Sequence, residues 1–151
     1  MTTATAVRPP IATASGFAVP APVVAVARVL LALMFVLAGF SKFGNLAGTA
    51  GYIASGGLPA ATALAVLVGL FEVLAGLALA IGFKARWAAL GLALFTLLAS
   101  LLFHQFWAAP AGQQMVQQLM FMKNLAIAGG MFMVAALGAG PLALDARRSA
   151  T

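Results

Sequence analysis

One carboxylate inside an apolar run sets the terms for the whole chain. Residues 58–82 are almost wholly apolar, with Glu72 near their middle. Left facing lipid, a charge at that depth costs on the order of 3 kcal/mol; facing protein or water it costs far less. The rest of the chain must therefore supply partners for Glu72.

It has the material to do so. Apolar stretches predict four helices, at about residues 23–41, 59–82, 87–107 and 119–137, each near the 20 residues that a bilayer span needs. Of the 151 residues 64% are hydrophobic and 7% charged, and mean hydropathy is +1.12. A soluble domain carries about a quarter charged residues, so lipid must cover most of this surface. The fold class expected is all-α: a polytopic membrane protein, a four-transmembrane-helix bundle over residues 23–140. Residues 1–22, rich in Thr, Ala and Pro, read as a disordered tail. The apolar run that follows carries Arg28 and is long enough to span, so it reads as a helix and not as a signal peptide. Residues 43–58 read as a glycine-rich loop within which 46–54 can form a short interfacial helix. Pro59 suits the first turn of the second helix. Residues 141–151 read as a short cytoplasmic tail.

The net charge of +6 does not point to nucleic acid, because the basic residues are dispersed and form no patch or aromatic-basic module. They serve better as topology signals and lipid headgroup contacts. Arg8, Lys84, Arg86, Arg147 and Arg148 fall on one side, whereas Lys42 and Lys123 belong to the other. By the positive-inside rule both termini are cytoplasmic. The absence of cysteine excludes thiolate chemistry and iron–sulfur ligation by this chain alone. No cluster has metal-ligand spacing, so no metal site is expected and no cofactor is held by a motif of the chain's own.

The polar residues share faces with small ones. Arg28, Ala32, Phe35, Gly39 and Lys42 fall on one side of the first helix. Around Glu72 lie Gly69, Ala75 and Gly76, with small-xxx-small steps at Ala65–Gly69 and Gly76–Ala80 that permit close backbone approach. Trp87 and Trp107, about 30 Å apart if helical, mark the two ends of an aromatic belt. Counting Cα heights, Arg28 and Glu72 lie roughly 2–5 Å to the cytoplasmic side of the midplane and form the natural ion pair. Lys42, His104 and Lys123 lie roughly 8–16 Å toward the outer side, with Asn124 beside them. The candidate ligand site is therefore Arg28, Lys42, Glu72, His104, Lys123 and Asn124. The competing readings are that the midplane pair only fixes packing and that the two lysines reach outward to headgroups.

With those residues placed, the chain resembles the DoxX family of small four-helix bacterial membrane proteins. The matching pieces are Arg28, Gly39-Phe40-Ser41-Lys42-Phe43, Phe71-Glu72 with Ala75-Gly76, and Gly82-Phe83-Lys84-Ala85-Arg86. They continue with Phe103-His104-Gln105-Phe106-Trp107, Lys123-Asn124-Leu125 with Gly129-Gly130, and the run from Gly138 to Asp145. Their order and spacing from Arg28 to Arg148 carry the resemblance. It implies a multi-pass protein of the bacterial cytoplasmic (inner) membrane. The family takes its name from a thiosulfate:quinone oxidoreductase, and other members are linked to quinone handling or oxidative-stress complexes.

Three functions follow as expectations. The first is a membrane subunit that binds a quinone or similar small ligand for an oxidoreductase partner, non-catalytic by itself. The second is a small transporter or channel for an anionic or weak-acid solute, which with four helices would need a homodimer. The third is a structural membrane anchor.

Overall fold

The computed structural model describes residues 19–148; of the tail expected over residues 1–22, residues 1–18 lie outside them, and Ala21 and Pro22 open the first helix. The elements are α1 (Ala21–Gly44), α2 (Leu46–Ser55), α3 (Ala61–Ile81), α4 (Ala85–Phe103), α5 (Ala111–Leu137) and α6 (Leu144–Arg148). Helices α1, α3, α4 and α5 are long and apolar enough to cross a membrane. They run alternately up and down. The start of α1 and the finish of α5 thus share one end of the bundle, here called the terminal end; α2 lies at the opposite, loop end.

The bundle is two tight pairs, α1 on α3 and α4 on α5, joined mainly where α3 meets α4. Small side chains make up most of its interior: Ala32, Ala65, Ala89, Ala93 and Ala128 are buried beside Leu79, Leu92 and Met131, while Leu67, Leu74, Leu98 and Leu137 are exposed. Large apolar side chains gain nothing by leaving lipid, so close backbone contact decides what goes inside. A Cβ on Gly39 would stand 2.6 Å from Val73 Cγ2, and one on Gly76 would stand 2.8 Å from Val36 Cγ2. The expected faces are the packed ones: Arg28, Ala32, Phe35 and Gly39 are buried on α1, and Ala65, Gly69, Glu72, Gly76 and Leu79 on α3.

The ends of the spans depart from the sequence expectation. Asn45 stops α1 at Gly44 and caps α2 by accepting from Gly48 N, so the interfacial helix forms. Pro59 lies outside α3, which starts at Ala61 after Ala60 takes a left-handed φ of 51°. Helix α4 ends at Phe103 and not at 107; the chain then turns so that Phe106, Trp107 and Phe121 pack edge to face. The largest difference is in α5, which begins at Ala111, eight residues before 119. Gln, Met and Ala favour helix, and Pro110 O receives the Gln113 and Gln114 amides. An apolar window cannot see that polar stretch, yet it is helix.

Residues 141–148 are not a free tail. Asp145 N donates to Gly82 O, and the Asp145 carboxylate accepts from Lys84 N at 2.8 Å and Ala85 N at 2.9 Å, capping α4 from 60 residues away. Gly82 makes this possible. Its φ is +74°, and a Cβ there would stand 2.4 Å from that of Ala143.

Candidate functional site

The α1–α3 register decides which charges meet. Gly76 faces Ala32 and Val36, Gly69 faces Phe43, and Gly39 faces Gly69 and Val73. Glu72 therefore lies level with Ala38 and Gly39. Arg28 is ten or eleven residues back along α1, about 15 Å away at 1.5 Å per residue. Lys42 is only one turn away.

Side-chain lean completes the choice. Helical Cα–Cβ bonds tilt toward the helix N-terminus. On α1 this carries both cations toward the terminal end: Lys42 inward to the middle of the span, Arg28 outward from it. On the antiparallel α3 it carries Glu72 toward the loop end and Lys42. Lys42 Nζ accordingly donates to Glu72 Oε2 at 2.6 Å, with Ala38 O at 3.5 Å. The Glu72 side chain is 6% exposed and that of Lys42 25%. The Arg28–Glu72 ion pair expected from Cα heights does not form.

Arg28, 4% exposed, is held by backbone instead. Its Nε and one terminal nitrogen each donate to Ala80 O at 3.3 Å, the latter also to Leu142 O at 2.9 Å, and the other terminal nitrogen to Ala139 O. Ala80 O is among the last carbonyls of α3, which have no partner within the helix and lie at the negative end of its dipole. Arg28 thus ties α1, α3 and the segment after α5 together at the terminal end.

The other candidates stand apart. His104 is the C-cap of α4, and its Nδ1 lies 2.9 Å from Gln117 Oε1. Lys123 lies mid-way along α5, not in its first turns, because the helix starts early. It is exposed, and its Nζ leans toward the loop end to Met120 Sδ at 3.3 Å. Asn124, half-buried, follows it. The expected grouping, Arg28 with Glu72 and Lys42 with His104, Lys123 and Asn124, is not the one the contacts make. The six residues divide into the Lys42–Glu72 pair, the Arg28 clamp, the His104–Gln117 contact and the Lys123–Asn124 step. Gln117 was missed because its stretch reads as loop; once 111–118 is helical, Gln113 and Gln117 stack one turn apart. Buried Thr96 and Ser100 are satisfied by carbonyls one turn back, Leu92 O and Thr96 O. Among the described residues no buried side-chain polar atom lacks a partner, and no three His, Asp or Glu side chains gather to hold a metal.

Comparison with known proteins gives the lineage. A family model described as DoxX matches residues 23–105, more than half of the chain. The chain belongs to the DoxX family. It is 42% identical over 122 residues to the inner membrane protein YqjF of Escherichia coli K12, an alignment covering 81% of this chain and 88% of that protein. It is 31% identical, again over 122 residues, to the inner membrane protein YphA of the same organism, covering 81% and 87%. No solved structure matches. With four spanning helices and inner-membrane relatives, this DoxX protein is a multi-pass membrane protein of the inner membrane. The fragments that carried the resemblance now have places. The Gly39–Phe43 run and the Phe71–Gly76 run face each other across the α1–α3 seam and contain the ion pair. The Gly82–Arg86 and Gly138–Asp145 runs meet at the terminal end.

Proposed function

We propose that this protein is a partner-dependent subunit that holds a quinone, or a ligand of similar size and polarity, at the Lys42–Glu72 pair for an oxidoreductase, with both termini cytoplasmic. The observation that carries this reading is the asymmetry of the pair: the carboxylate is buried while its ammonium partner keeps a quarter of its surface open. Ionisable groups within a span are functional candidates by default, and one that is fully paired and sealed would serve packing alone.

The residues suit a carbonyl-bearing ligand. An ammonium has three donors; Glu72 Oε2 takes one and Ala38 O a second, weaker one, which leaves a proton for an incoming oxygen. Glu72 orients Lys42 and offers a carboxylate on which a proton can rest. A quinone supplies the two-electron, two-proton couple, and the electrons come from the partner. His104 and Lys123 are too dispersed to share the site. The positions of Lys84, Arg86 and Arg147 at the terminal end support cytoplasmic termini.

The test is copurification in mild detergent, with mass spectrometry of bound small molecules and proteins. The expected result is a quinone-like molecule or an oxidoreductase subunit retained by wild type, lost in Glu72→Gln and Lys42→Met, and kept in Lys123→Ala. Wild-type protein that emerges alone with bulk phospholipid overturns the reading and leaves the transporter and the anchor.

A further inference from the structure

The two tight helix pairs leave a seam on the other side of the bundle, where α1 and α5 barely touch. A groove of about 290 Å³ opens there, walled by Val23, Ala27 and Leu31 on α1 and by Met133 and Leu137 on α5, with Arg28 and Ala139 at its base. Leu31 closes it on Gly130, a Cβ on which would stand 3.3 Å from Leu31 Cδ2. From Val23 to Leu31 it runs about 12 Å along the helix axis, the direction in which acyl chains lie.

Its terminal end opens beside a basic ledge. The Arg86 guanidinium lies against Gly138, within 3.3 Å of where a Cβ would stand, and reaches toward Leu137 O at 3.5 Å. A second hollow of about 300 Å³, lined by Lys84, Arg86, Trp87, Ala139 and Asp145, shares Ala139 with the groove. Among the described residues Asp145 is the single acidic side chain at this end, and both its oxygens accept from the Lys84 and Ala85 amides. Lys84 and Arg86 line the hollow with it, and the buried Arg28 stands at the base of the groove, so the ledge is net positive.

We propose that groove and ledge together bind an anionic phospholipid. One acyl chain lies in the α1–α5 groove, and the phosphate rests on Arg86 and Lys84 with Trp87 beside the glycerol region. An apolar slot between spanning helices that leads to guanidinium and ammonium groups matches the two halves of such a lipid, and basic pockets between spans are where anionic headgroups bind. The site is separate from the Lys42–Glu72 pair, and its failure would leave that reading intact.

The experiment is native mass spectrometry of the full chain in mild detergent with equal amounts of phosphatidylglycerol and phosphatidylcholine. Wild type is expected to retain phosphatidylglycerol. Arg86→Gln lowers that retention about five-fold further than Arg147→Gln, which removes the same charge from α6. Ala27→Phe and Ala27→Leu, changes at an exposed position, also lower it by filling the groove with no change of charge, and millimolar inorganic phosphate does not displace the lipid. Equal retention of the two lipids overturns the proposal. So do equal losses in the two arginine variants, Ala27 variants that bind as wild type, or displacement by inorganic phosphate alone.

Discussion

Arg28 places a full charge inside a bundle that has only two acidic residues to offer, and it meets neither by hydrogen bond. Three backbone carbonyls take the charge instead. Arg28→Leu leaves those carbonyls without a donor and is expected to cost about 2–4 kcal/mol, since hydrogen bonds to charged groups are worth about 1.5–3 kcal/mol and bereft buried acceptors add a penalty. Thermal unfolding in detergent measures it. Arg28→Lys should recover little, because a single ammonium lacks the fork that spans Ala80, Ala139 and Leu142. The face holding Arg28 was legible in the sequence, as was its burial. Its partners were not, because Cα heights ignore the lean of a long side chain. That lean separates Arg28 from Glu72 and brings Lys42 to it. Lys123 lies further along its helix than an apolar window shows, because α5 starts eight residues earlier.

At the scale of elements, the α1–α3 seam depends on the absence of side chains. Gly39→Leu must displace Val73 and the Gly69 carbonyl and is expected to cost about 1–3 kcal/mol, as overpacking does, whereas Gly129→Ala, with open space around it, should be neutral or mildly stabilising. Melting temperatures of the two variants, read side by side, check this. The seam could be read from the small-xxx-small steps alone. The α4 N-terminus could not: its cap, Asp145, comes from a segment that looks like a tail, and nothing local announces a pairing across 60 residues. Asp145→Ala should cost about 1 kcal/mol, the usual worth of an N-cap. Hydrogen exchange of the Lys84 and Ala85 amides should rise while amides in mid-α4 stay protected.

For the molecule as a whole, four spans bring the start of α1 and the finish of α5 to one end of the bundle, and the proposed orientation sets that end in the cytoplasm. The chain has no cysteine, so single cysteines report without background. In intact cells Arg147→Cys should resist a membrane-impermeant thiol reagent and Gly112→Cys should react; the opposite pattern would invert the topology. The span count was legible in the sequence, since it survives errors of several residues at helix ends. What the sequence could not carry was the pairing of Lys42, and not Arg28, with Glu72, which the antiparallel register of α1 on α3 resolves.

A pair of double-mutant cycles reads that register as energies. Unfolding free energies in detergent would be measured for Lys42→Met and Glu72→Gln, singly and together, and likewise for Arg28→Met and Glu72→Gln. Residues in contact couple by about 0.5–3 kcal/mol, whereas distant ones add to within about 0.5 kcal/mol. Clear coupling is expected for Lys42 with Glu72, and additivity for Arg28 with Glu72. Coupling of Arg28 with Glu72, and none for Lys42, would contradict that register.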